Sequence, residues 1–200
     1  MAVTIRQRSR AHGYPDGVLS TSGNDTSGTT IEYVYDFANG TSMAAPHTSG
    51  AIVLATEWWR TFNAGADPSP AMAKALLVNS ADDMAAPDIP NVREGWGRIN
   101  LTTLIDPPAP REYWDQTDLF TDTGQQIVVA VGVPEPGQPL KISLAWSDAP
   151  GAVGANPALV NDLDLELVAP GGEVYRGNQW GADEIEVPGD KESLPGAAGK

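Results

Sequence analysis

The proline cluster Asp106-Pro107-Pro108-Ala109-Pro110 constrains this 200-residue chain more than any other stretch. Proline has no N–H to give to a helix or a sheet ladder, and its ring restricts the residue before it, so no regular element runs through the cluster. The hydrophobic period also changes there. Upstream, Thr48, Ile52, Ala55, Trp59 and Phe62 recur at steps of three and four, which predicts a helix over 48–63 closed by Gly65. A second helix fits 69–83, with Pro70 in the first turn behind Ser69 and Met72, Ala75, Leu76, Asn79 and Ala81 as its stripe. Downstream the period becomes two, as strands with one packed face require. Strands are expected at 126–133, at 140–146 with Leu140, Ile142, Leu144 and Trp146 on the packed face, at 161–168, and at 173–176 after a Pro170-Gly171-Gly172 turn. The break therefore predicts two domains, 1–106 and 107–200, the second an all-β sandwich or jelly roll.

Charge and composition narrow the partners. Lys and Arg number 12 against 26 Asp and Glu, a formal charge of −14, which repels nucleic acid and anionic lipid. The excess is concentrated downstream, where 107–200 holds 5 basic and 15 acidic residues. No nucleic-acid or membrane partner is expected. With no cysteine in the chain, a disulfide framework, a zinc-thiolate site and a thiol nucleophile are all excluded. The first residues, Met1-Ala2-Val3-Thr4-Ile5 followed by Arg6, Arg8 and Arg10, lack the apolar run of a secretory signal.

Chemistry concentrates in Asn39-Gly40-Thr41-Ser42-Met43-Ala44-Ala45-Pro46-His47, where a serine stands between a glycine turn and an apolar helix. Gly40 lets another backbone approach closely. Ser42 falls at a helix N-terminus, where unpaired N–H groups and the helix dipole favour a developing negative charge. A serine so placed can act as a nucleophile, its own N–H directed at the oxyanion, with Pro46 tolerated because a first helical turn needs no N–H donor. An N-cap serine without chemistry is the alternative for such a position.

The string 40–47 resembles the nucleophile motif of the subtilisin-like serine proteases. The resemblance extends through Ser69-Pro70-Ala71 and Lys74 to Ala81, and through Gly95-Trp96-Gly97-Arg98-Ile99-Asn100. Leu144 to Asp148, Leu159 to Leu165 and Pro170-Gly171-Gly172 are similar to a jelly-roll domain appended to one branch of bacterial subtilases. The resemblance implies an α/β fold for 1–106, present as the C-terminal part of a protease domain with helices and little sheet, followed by an incomplete jelly roll. It implies proteolysis of protein or peptide substrates with Ser42 as nucleophile, no cofactor for the chemistry, and a secreted, extracellular protein.

The family mechanism needs Asp, His and Ser in that order. Only 41 residues precede Ser42, too few for both upstream motifs, so the expectation is a fragment whose parent carries the activity and which is itself inactive. His12-Gly13 and Thr21-Ser22-Gly23-Asn24 are read as ordinary loop residues, and His47 as structural. Asp162, Asp164 and Glu166 share one face at a spacing that suits a hard cation, and the family's use of structural calcium points the same way. A solvated outer face is the competing account, and the metal stays open. The rival function is a non-catalytic β-sandwich binding module with a remnant protease half. About the last 15 residues are expected to be irregular, leaving an unpaired sheet edge prone to association.

Overall fold

The computed structural model describes residues 18–25, 31–84, 90, 94–132, 140–156 and 158–177. Strand β1 (Val18–Asp25) pairs antiparallel with β2 (Ile31–Ala38), in a register running from Val18 opposite Ala38 to Asp25 opposite Ile31. This ribbon was not foreseen, and it places Thr21 to Asn24 in a strand rather than a loop. Its sequence signal is Ile31, Tyr33, Tyr35 and Phe37 recurring at every second position.

Helix α1 (Thr41–Arg60) starts two residues after β2. It begins seven residues before the predicted start, because its first two turns are small and polar and carry no apolar stripe to count. Pro46 consequently lies in the second turn, not the first, and its missing N–H removes the bond that the Ser42 carbonyl would otherwise accept. Just beyond it, Thr48 Oγ1 donates to Ala44 O at 3.1 Å and Ser49 Oγ to Ala45 O at 3.2 Å. At the far end Gly65, with φ of 82°, donates its N–H to Arg60 O at 3.1 Å.

Helix α2 (Pro70–Asn79) begins where Ser69 and Pro70 predict. The Ser69 hydroxyl accepts the Met72 N–H at 3.0 Å. It stops four residues short of the predicted end, since Asp82 exchanges two backbone hydrogen bonds of 2.9 Å with Arg98 and so leaves the helical path. A short α3 (Leu101–Ile105), also unforeseen, is capped by Asn100, whose side-chain oxygen accepts the Thr103 N–H at 3.0 Å. It ends at the proline cluster, as steric restriction before Pro107 requires.

These three helices share one core of Ala51, Ala55, Trp59, Met72, Leu76, Leu77 and Leu104. Leu104 is fully buried, and a leucine so placed contributes about 1.5–3 kcal/mol. Phe62, expected in the stripe, is instead 49% exposed.

Past the proline cluster the described chain holds one small ribbon, β3 (Glu166–Val168) against β4 (Val174–Arg176). The predicted turn joins them, with Gly172 at φ 94° and its N–H on Ala169 O at 2.9 Å. The alternation from 161 to 168 is also present, Leu163, Leu165 and Leu167 being half-buried and Asp162, Asp164 and Glu166 exposed. Residues 126–132 and 140–146, by contrast, form no strand, and no sandwich assembles among the described residues. A strand needs a partner across its ladder, and among the described residues neither segment is paired in one. Leu140, Ile142 and Leu144 are exposed, while Ser143, Ala145 and, from the expected packed face, Trp146 are half-buried. The expected irregular tail falls outside the described residues.

Candidate active site

Ser42 is the second residue of α1 and exposed, and the helix is separated from β2 by Asn39 and Gly40 alone. The strand-to-helix junction expected of it is therefore present. Gly40 has φ 141° and ψ 176°, a conformation essentially restricted to glycine. Nothing lies within 4 Å of where its Cβ would stand, so backbone geometry, and not the close approach expected from the sequence, is what requires glycine here. The Gly40 carbonyl accepts from both Met43 N–H and Ala44 N–H at 3.1 Å.

The Thr41 and Ser42 N–H groups are left without a partner among the described residues, and no side chain caps the helix. No acidic residue occupies the first turn either, so the positive end of the dipole is open beside the Ser42 hydroxyl.

Nδ1 of His47 lies 2.8 Å from the Met43 carbonyl oxygen. A carbonyl only accepts, so Nδ1 carries the proton and the ring is committed to its own helical turn. Five positions along a helix is also about 140° around it, which turns His47 away from Ser42. The structural role read for His47 agrees with this geometry. His12 lies outside the described residues.

The three downstream carboxylates do not gather into a cation site. Glu166 Oε1 accepts from Arg176 Nε at 2.7 Å, and no group of three His, Asp or Glu able to hold a metal occurs among the described residues. Asp148 does different work, accepting from the N–H groups of Ala149 at 2.8 Å and Val160 at 2.7 Å, and from Asn161 Nδ2 at 2.7 Å. The Val160 bond, with those from Asn161 and Ala149, holds its carboxyl below the usual aspartate value. This clasp joins two stretches, around Trp146 and around Asn161, that the sequence singled out separately.

The structure thus places an exposed serine at a strand-to-helix turn, at the head of a helix whose first two N–H groups have no partner among the described residues. Residues 11–97, Ser42 included, match the model of the Subtilase family. The chain is 29% identical over 161 residues to "Serine protease/ABC transporter B family protein tagA" of Dictyostelium discoideum, which covers 70% of this chain and 9% of that protein. It is 26% identical over 163 residues to "Extracellular serine protease" of Serratia marcescens, covering 73% of this chain and 15% of that protein. The chain thus corresponds to a small part of each relative. No solved structure matches.

Proposed function

We propose that this chain is the nucleophile-bearing part of a secreted, subtilisin-type serine endopeptidase. The carrying observation is the open N-terminus of α1, which presents Ser42 within the segment that matches the family. In this reading Ser42 Oγ attacks the scissile carbonyl, forming a C–O bond, while a histidine supplied by the longer protein takes the hydroxyl proton. The Ser42 N–H and the dipole of α1 stabilise the oxyanion. Collapse breaks the C–N bond, the proton passes to the leaving amine, and water then releases the acyl group. Extracellular action is supported by the name of the Serratia relative. No described helix is long and apolar enough to cross a membrane. The division at residue 106 and a jelly roll completed by further strands belong to the same proposal, supported by the alternation at 161–168 and the β3–β4 turn.

The test is hydrolysis of a protein substrate by the longer gene product and its Ser42→Ala variant. Loss of turnover on the order of a million-fold, with this 200-residue chain alone at background, is expected. Turnover retained in Ser42→Ala overturns the assignment.

A further inference from the structure

Helix α2 has a cap of its own in Ser69, but not the charges that steady helix ends. It has no acidic residue in its first turn and no basic residue in its last, although helices gain from a negative charge at the head. What it lacks comes from beyond the proline cluster. At the head, Asp115 Oδ2 accepts the Ser69 N–H at 2.8 Å, placing a carboxylate beside a cap residue that is 8% exposed. At the tail, Asn79 Nδ2 donates to Lys141 O and to Ser143 Oγ, both at 3.1 Å, and Lys141 Nζ donates to Ala81 O at 3.3 Å. Near the head contact, Tyr113 sets its ring against Trp59 at 5.5 Å and Trp58 at 6.0 Å, the aromatic end of α1.

We propose that residues 111–115 and 141–143 form a two-ended strap on α2, making the two ends of that helix the places where the downstream region docks. The partner is this chain's own second half, and the chemistry is polar: one carboxylate at the helix head and one bridging amide at its tail. Because Met72, Leu76 and Leu77 of α2 pack in the same core as Ala51, Ala55 and Trp59 of α1, the strap also steadies the helix that presents Ser42. The proposal is independent of whether Ser42 is a nucleophile, since no contact in it touches Ser42.

Hydrogen exchange on the whole chain tests it. Asp115→Ala and Asn79→Ala should each speed exchange of α2 amides by about tenfold, the double variant by more, with smaller acceleration at 51–59 and none in β3 and β4. Asp115→Asn retains an acceptor without the charge, folds if Asp115→Ala does not, and should fall between Asp115→Ala and the parent. Ser69→Ala, which removes the cap within α2, is the positive control. If the double variant exchanges in α2 within twofold of the parent while Ser69→Ala accelerates it, the strap is refuted.

Discussion

Trp59 and Val128 are both large apolar side chains, yet the first is 4% exposed and the second 89%. The difference lies in what each region needs in order to fold. Helices α1 to α3 satisfy most of their backbone within themselves, so an apolar stripe has only to find another helix nearby. Residues 126–132 and 140–146 satisfy theirs only through a neighbouring strand, and their apolar face stays open without one. Hydrophobic periodicity of equal clarity therefore has unequal consequences on the two sides of the proline cluster.

The comparison breaks most visibly under core truncation. Leu104→Ala should cost about 2–5 kcal/mol by chemical denaturation, whereas Leu144→Ala, at a position 44% exposed, should cost under about 1 kcal/mol. Equal losses would mean the downstream face is buried after all. Gly40→Ala should cost about 1–3 kcal/mol, because alanine is strained at φ 141°, and the loss should show first as fraying of the opening turn of α1 in amide exchange. Ser69→Ala removes the cap of α2 and should cost about 1 kcal/mol.

A pH effect comes next. Partial burial, then the neighbouring Arg111 charge, pull the Lys141 ammonium below its ordinary value, against the opposing pull of Asp82. The folded state then holds this proton less tightly than the unfolded chain. Stability should rise with pH between the lowered value and the unfolded lysine value of about 10.4, and Lys141→Met should abolish the rise in a denaturation series. Smallest is the exposed Arg176–Glu166 pair, where Glu166→Gln should change stability by less than about 1 kcal/mol.

What could be read from residues alone follows the same division. Ser69-Pro70 announces the start of α2, and Pro170-Gly171-Gly172 the turn between β3 and β4, because caps and turns are set by the residues that occupy them. The ribbon of β1 and β2 and the cap at Asn100 had comparable local signals in Ile31 to Phe37 and in Asn100-Leu101, which the stronger helical stripe overshadowed. The start of α1 was marked by Gly40 and Ser42 but not by the apolar stripe, because Thr41 to His47 is mostly small and polar. Asn79 and Ser143 are 64 residues apart in the chain, and no local pattern marks such a contact. Ser42 at the head of a helix was legible from the glycine before it, while its reading as a nucleophile rather than an ordinary N-cap serine came from the resemblance carried by 40–47.

The role of Ser42 is tested most directly by locating a covalent adduct. Treating the longer gene product with a fluorophosphonate and mapping the modified peptide by mass spectrometry should place the phosphonyl group on Ser42 Oγ, with no labelling in Ser42→Ala. A labelled peptide that excludes Ser42, or undiminished labelling of Ser42→Ala, would contradict it.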